Sequence, residues 1–370
     1  KEYRRQRQMC IRDSPNITKN EMPGRSHFDY CVKYIVDKLD QAAYLLPDKR
    51  ELSDAGRADA TICKCIKARV LLYAASPLWN GSFYDKSWKN SKYETPGYGN
   101  ELVSSQYERK KWDNALVACQ EALTAAKKAG YNLFDIETAN SIAEKQKVPL
   151  PFIPGKEEDT PENTLFKERV RMFQYLVASN ESDGNNELIW GVNTKRMGPS
   201  DYWPTISQAP RKIIKTNGTT WHSMSGWSFN APTLNTVQRF YTENGKLPAD
   251  DNDFYRKSEW YTRFYEGTSS PALERDDIDK EDVKNDIIKF NVGREARYYA
   301  WIAFDGCQYA TNIRDGEPLW LNLKNSATNG YVLNDRNYTG TGFMTKKFMT
   351  PDIKYLSLIH ISEPTRQAEI

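Results

Sequence analysis

Three segments in the first third of the chain carry apolar residues at every third or fourth position, the spacing that lines them along one stripe of an α-helix. Phe28, Val32, Ile35, Leu39, Ala42 and Leu46 form the first stripe, with Ser26 at the expected N-cap and Pro47 as the stop. A polar turn over residues 48–56 leads to a second helix at roughly residues 57–75, carrying Ile62, Cys63, Ile66, Val70, Leu71, Tyr73 and Ala74. That apolar surface is too wide for a solvent-facing helix, so the segment is expected deep in the core. Ser76-Pro77 ends it. The third segment, roughly residues 106–129, aligns Tyr107, Trp112, Ala115, Leu116, Cys119, Ala122, Leu123 and Ala126 before Gly130. Small residues interleaved with large ones permit close antiparallel packing.

A further amphipathic segment over residues 162–178 closes the helical part, and the paired helices resemble tetratricopeptide repeats, although no strict repeat period aligns. Between helices, residues 78–105 form a loop rich in rings: Trp79, Phe83, Tyr84, Trp88, Tyr93 and Tyr98. After residue 180 the periodicity loosens. Residues 186–192 and 297–304 read as strands, 233–243 as a helix after Pro232, and 331–348 as turn-rich. The expected fold class is mainly α. A tetratricopeptide-like helical repeat scaffold over residues 15–180 precedes a loop-rich, low-strand C-terminal lobe over 181–355.

Those limits exclude both ends. Residues 1–14 (KEYRRQRQMCIRDS) and 356–370 (LSLIHISEPTRQAEI) read as in-frame translations of sequencing adapters. The exclusion changes the electrostatics. The whole chain has 52 basic and 49 acidic residues, a formal +3. The first fourteen residues hold five basic and two acidic groups, the last fifteen one and two, so the remainder is close to neutral. Nothing in that balance points to nucleic acid or an anionic membrane surface. There is no apolar run of eighteen residues to span a membrane. Within residues 15–355, Cys31, Cys63, Cys65, Cys119 and Cys307 lack metal-ligand spacing and read as small buried hydrophobes.

Catalytic signals are sparse. Only His27 and His222 remain outside the ends, and there is no Gly-x-Ser-x-Gly elbow, His-Glu-x-x-His motif or phosphate-binding Gly-rich loop. Asp250, Asp251 and Asp253, and Glu274, Asp276, Asp277 and Asp279, could supply paired carboxylates, and the first group a calcium loop. Both lie in polar sequence where solvated charge is the ordinary reading. Binding has better support. Rings make up 12% of the chain, with ten Trp and twenty-two Tyr. The long irregular stretch over residues 193–228 has the makeup of a binding loop. Tyr202, Trp203, Trp221, His222, Trp227 and Asn230 form a candidate glycan platform, in which rings stack on the apolar faces of sugars and polar side chains hold the hydroxyls. The plainer alternative is that these rings plug the gap between helices and lobe.

Residues 67–81 (KARVLLYAASPLWNG) resemble the signature helix of the SusD/RagB family, and Gly56-Arg57-Ala58 resembles the approach to it. Further resemblances follow in the family's order. Lys111-Trp112 with Ala115, Ala118 and Ala122 looks like the next repeat helix, and Asn186-Glu187-Leu188-Ile189-Trp190-Gly191 like the Asn-Glu-Ile-Ile-Trp segment. Pro232-Thr233 through Val237, Tyr241 and Gly245 is similar to a third. Arg294-Glu295-Ala296-Arg297-Tyr298-Tyr299-Ala300 with Phe304-Asp305-Gly306 is similar to a fourth, Ala296 replacing the usual proline. Gly342-Phe343 with Lys346-Lys347-Phe348 completes the set.

The resemblance implies a non-enzymatic, cofactor-free protein that captures glycan, or peptide, and passes it to a SusC-like TonB-dependent transporter. It implies a place on the outer face of the outer membrane, through a lipid anchor upstream of residue 15. Two other readings stay open. A helical-scaffold glycoside hydrolase requires two carboxylates facing each other across an aromatic cleft, for instance Asp201 with one of the Asp250–Asp253 group. A tetratricopeptide-type scaffold that binds only protein requires an aromatic-poor groove.

Overall fold

The computed structural model describes residues 24–54, 56–191, 208–210, 212–216, 220–223, 227–228, 230–266, 281–314, 317–324, 329–331 and 338–351. Among the described residues lie seven α-helices and six short strands: α1 Phe28–Leu45, α2 Ala60–Ala75, α3 Arg109–Lys128, α4 Ile136–Gln146, α5 Pro161–Ala178, β1 Lys212–Thr216, β2 Thr220–Ser223, α6 Leu234–Gln238, α7 Ala296–Trp301, β3 Ile302–Phe304, β4 Gln308–Arg314, β5 Glu317–Trp320 and β6 Phe343–Thr345. Among the described residues the strands pair two by two, β1 with β2, β3 with β6 and β4 with β5, all antiparallel. The expected class, mainly helical with few strands, is the one observed. The chain divides into two compact units, one of residues 1–132 with 189–192, the other of residues 133–188 with 193–370.

In the first unit α2 lies against both α1 and α3. The residues α3 buries are all alanines, Ala115, Ala118, Ala122 and Ala126, and two of them meet Ala68 of α2 beside Cys65, Leu71 and Cys119. Alanine at every third or fourth position lets the two backbones approach closely, as the interleaving of small and large residues anticipates. Lys67 on α2 donates to Asp40 of α1 at 2.8 and 3.1 Å and to Glu121 of α3 at 3.5 Å, joining all three helices. The end of α2 is built by the residues after Ser76. The buried Asn80 amide donates to the carbonyls of Ala75 (3.4 Å) and Glu108 (3.1 Å), and its oxygen accepts the Glu108 N–H (2.7 Å). Gly81 then turns with φ +92°, and a Cβ there would lie 2.7 Å from the Tyr107 nitrogen. Trp190 donates its indole N–H to the Gly56 carbonyl at 3.1 Å.

Several expectations in this unit need correction. Helix α1 is capped by His27, not Ser26: the ring Nδ1 accepts the Asp29 N–H at 3.1 Å. Helix α2 begins at Ala60 and is capped by Asp59, whose carboxylate accepts the Ile62 N–H at 2.8 Å. It is not deep in a core, because Leu72 and Tyr73 on its C-terminal half are 47% and 62% exposed. Cys63 and Cys307 are buried as expected, Cys65 and Cys119 partly so, but Cys31 is exposed.

The second unit holds the larger core. Helix α4, which the periodicity does not announce, is capped by Asp135 and packs Ala139, Ile142 and Ala143 against Tyr175 of α5. Helix α5 starts at Thr160-Pro161, a hydroxyl cap followed by the residue best suited to the first helical position. The main cluster gathers Ile153, Val170, Val237, Trp260, Phe290, Tyr298, Tyr299, Phe304 and Met344. At its centre Arg294 is fully buried. Its guanidinium donates to the carbonyls of Val237 (2.9 Å), Phe240 (2.9 Å), Phe290 (3.0 Å) and Tyr241 (3.4 Å), so one side chain ties the end of α6 and the residues just after it to Phe290.

Three local expectations here also change. Residues 186–191 are turns, not a strand, because Glu187 is spent on the Phe134 N–H at 2.7 Å and Asn185 binds back to α5. The helix expected over 233–243 is only the five residues of α6, stopped where Arg294 takes its carbonyls. Residues 297–304 are not one strand: the segment is helical through Trp301 and turns extended only in β3. Trp301 donates to the Phe173 carbonyl of α5 at 3.1 Å, and α7 packs along α5.

Candidate functional site

Four of the six candidate platform residues fall where the structure is described. Tyr202 and Trp203 lie outside the described residues. Trp221 and His222 sit on β2, in register with Lys215 and Ile214 of β1, so the stretch expected to be irregular contains an antiparallel hairpin. The register shifts between Lys212 and Ile214, a bulge-like irregularity near the root. The sequence holds a signal for this hairpin, Asn217-Gly218, the pair most suited to a tight strand-joining turn.

The root of the hairpin is tied into the core. The Ser228 N–H donates to the Ala209 carbonyl at 3.1 Å, closing the segment that contains both strands. Gln208, Ala209 and Ser228 are buried, and Ser228 takes φ +52°, a left-handed conformation that non-glycine residues adopt only under surrounding constraint. On one side Tyr309 of β4 donates its hydroxyl to the Gln208 carbonyl at 3.3 Å. On the other, the Thr345 N–H of β6 donates to the Asn230 carbonyl at 3.0 Å, and the Thr341 hydroxyl reaches the Pro232 carbonyl at 2.8 Å. Trp227 is half-buried and Asn230 exposed, so the two platform residues beside the root are both within reach of solvent.

Of the acidic candidates, Asp251 has a structural role. Asp251 is buried, and its carboxylate accepts from the Thr242 hydroxyl (2.5 Å), the Asn244 amide (3.0 Å) and the Asp253 N–H (3.1 Å). Those bonds, the hydroxyl of Thr242 first, hold its pKa below the ordinary carboxylate value. A carboxylate committed to three donors organises the turn over residues 242–253, and among the described residues no group of three or more His, Cys, Asp or Glu is placed to hold a metal ion. Asp201 and the run Glu274–Asp279 lie outside the described residues.

Two carboxylates outside the acidic candidates of the sequence share one amine. Lys324 lies 2.6 Å from buried Asp286 and 3.8 Å from Asp305. Asp305 also accepts the Leu323 N–H at 2.7 Å. Burial pushes its pKa up to about 6, against the pull of that N–H and of Lys324. Asp286, 19 residues upstream, adds a second negative charge in the same direction. No spacing pattern connects these residues, and only the fold brings them together.

A model of the SusD family matches residues 186–368, a segment that contains the hairpin, its anchors and the Arg294 core. This chain belongs to the SusD/RagB family. Two solved structures of BT4246, one of them the selenomethionine protein, are each 45% identical to it. They superpose with TM-scores of 0.75 and 0.74 over 90% and 92% of this chain, and over 51% and 53% of theirs. A SusD-like protein (BF3747) from Bacteroides fragilis NCTC 9343 is 18% identical over 89% of this chain and 44% of its own, with a TM-score of 0.49. No curated protein sequence matches. The SusD/RagB chain described here thus spans about half the length of the BT4246 structures. No helix among its described residues is long and apolar enough to cross a membrane.

Proposed function

We propose that this SusD/RagB protein is a non-enzymatic glycan-capture protein of the outer-membrane surface, lipid-anchored in its complete form, that hands its cargo to a SusC-like TonB-dependent transporter. The observation that carries this reading is the family match over residues 186–368, which encloses a ring-rich hairpin rooted in the core by Tyr309 and Thr345. A hairpin anchored at its base, carrying Trp221 and His222 with Trp227 beside its root, is suited to hold sugars by stacking, with Asn230 supplying directional hydrogen bonds. Tyr202 and Trp203 complete the proposed platform. Asp251 is spent on its own turn, and Asp286 and Asp305 share Lys324, arrangements that serve the fold more readily than hydrolysis.

Affinity electrophoresis against a panel of polysaccharides, with released sugar assayed in the same samples, tests the proposal. Retardation by a glycan without product, weakened by Trp221→Ala or Trp227→Ala, is the expected result. Released reducing sugar would replace capture with hydrolysis. A folded protein retarded by none of the glycans would move the cargo to peptide.

A further inference from the structure

The loop between α2 and α3 carries rings that the hairpin does not account for, and in the structure they build a second concave surface. Phe28, Trp79, Phe83 and Trp88 stack in succession at 4.3, 5.6 and 5.3 Å between ring centres, which braces the loop. At the loop's far end a tight turn over residues 95–99 is closed by the Thr95 N–H on the Gly99 carbonyl (2.8 Å) and the Tyr98 N–H on the Thr95 carbonyl (2.9 Å). Buried Thr95 fixes that turn to the start of α1, since its hydroxyl accepts the His27 backbone N–H at 2.8 Å. The Tyr98 ring is thereby held flat on the buried His27 ring, at 4.1 Å and 15°.

Tyr98 stands at the wall of an open cleft of about 270 Å³, just below the roughly 300–1,000 Å³ of drug-sized sites and large enough for a single sugar ring. Val32, Val36, Leu71 and Ala74 give the cleft an apolar lining, and Asp29, Lys33, Glu108, Lys111 and Asn114 surround it with polar groups. At its base Lys111 and Asp29 form a half-buried pair at 2.7 and 2.8 Å, with the Trp79 carbonyl as a third acceptor at 3.1 Å. Both residues are thus fixed in place before any ligand arrives. Glu108 and Asn114, by contrast, are exposed at the rim. Charges of both signs balance around the opening, which favours a neutral, polyhydroxylated ligand over an anion or a cation. A braced aromatic ring beside an apolar floor suits the C–H face of a sugar ring.

We infer that this cleft is a second carbohydrate subsite, taking one neutral pyranose residue with its apolar face on Tyr98 and its hydroxyls toward Glu108 and Asn114. The inference rests on the carbohydrate reading of the protein but concerns a different surface from the hairpin. It gives the helical unit a direct role in contacting glycan.

The test uses this chain and the methyl glycosides of glucose, galactose, mannose and N-acetylglucosamine, followed by saturation-transfer NMR and titration. At least one glycoside is expected to bind. Tyr98→Ala should weaken it tenfold or more, Asn114→Ala and Glu108→Gln threefold or more, and Tyr44→Ala, at a distant exposed ring, should leave it unchanged. Because Tyr98→Ala also removes a packing contact, the two exposed rim variants keep the test decisive if that variant unfolds. Binding weakened by Trp227→Ala but indifferent to Tyr98, Glu108 and Asn114 would overturn the cleft and leave the carbohydrate reading standing. A folded chain that binds no glycoside, yet is retarded by a polysaccharide, would also remove the cleft alone. One that binds neither would remove both.

Discussion

The Arg294 guanidinium lies 4.4 Å from the centre of the Tyr298 ring, inside a core where its donors go to backbone carbonyls and not to a carboxylate. Phe290 covers the other approach at 4.6 Å. Burial lowers the arginine's pKa, and the neighbouring tyrosines and Glu295 oppose the shift. The arrangement needs a planar fork that reaches several carbonyls at once, which an ammonium group cannot copy. Arg294→Met should therefore cost roughly 3 kcal/mol or more, since it strands buried acceptors. Arg294→Lys should recover less than half of that loss. Urea midpoints of the two variants measure this, and a loss below about 1 kcal/mol for Arg294→Met would refute the structural role.

Asp305 makes a prediction about pH. Its pKa in the fold, about 6, lies above that of an unfolded aspartate near 3.9. The fold therefore holds a proton there that the unfolded chain has released. The associated stability is fully present below about pH 4 and is lost as pH rises through 6, with a slope of at most about 1.4 kcal/mol per pH unit. Asp305→Asn keeps an acceptor for Leu323 but cannot ionise. The stability difference between wild type and variant should move in the variant's favour between pH 4.5 and 7. A constant difference across that range would show that Asp305 does not titrate there.

His27 should respond in the opposite direction. Burial is the largest influence on it and lowers its pKa, although Asp29 pulls the other way. Its neutral Nδ1 accepts the Asp29 N–H at the start of α1, and protonation would turn that acceptor into a donor. A depressed pKa contributes stability that is complete above 6.5 and lost as pH falls through the folded value. Hydrogen exchange of the first turn of α1, corrected for intrinsic rates, should lose protection as pH is lowered from 7 into the acid range. His27→Ala should cost about 1 kcal/mol at neutral pH, the usual worth of a cap. It should also loosen Tyr98, which stacks on this ring. Unchanged protection across the range would mean that the cap survives protonation.

These sites show where sequence reasoning reaches and where it stops. Helices α1, α2, α3 and α5 announce themselves because their stripes are long, and the first three also have strong stops, at Pro47, Pro77 and Gly130. Helix α4 does not, since its buried stripe is only Ala139, Ile142 and Ala143 among polar residues. Helix α7 reads as a strand because its aromatic run has no resolvable period, and burial of both Tyr298 and Tyr299 removes the alternation that would decide. The hairpin was signalled by Asn217-Gly218 and masked by the polar, ring-rich composition around it. The pairing of Asp286 with Asp305 through Lys324, and of His27 with Tyr98, depends on contacts far apart in sequence that no local pattern encodes.

Gly81 and Gly97 separate two costs that usually occur together. Both hold a positive φ, +92° and +81°, so an alanine at either pays for a left-handed backbone, about 1–2 kcal/mol. At Gly97 a Cβ meets nothing within 4 Å. At Gly81 it would lie 2.7 Å from the Tyr107 nitrogen and 3.0 Å from the Gln106 carbonyl carbon, both backbone atoms that lead into α3. Gly81→Ala must therefore also push the two chain segments apart, disturbing the Asn80 bonds to Glu108 at 2.7 and 3.1 Å. Gly97→Ala should cost about 1 kcal/mol and Gly81→Ala about 1–3 kcal/mol more, the range typical of overpacking. Denaturant unfolding of the two variants under identical conditions compares them directly. Equal losses would mean that the backbone around Tyr107 yields freely, and that the Asn-Gly turn after α2 is not the tight joint described here.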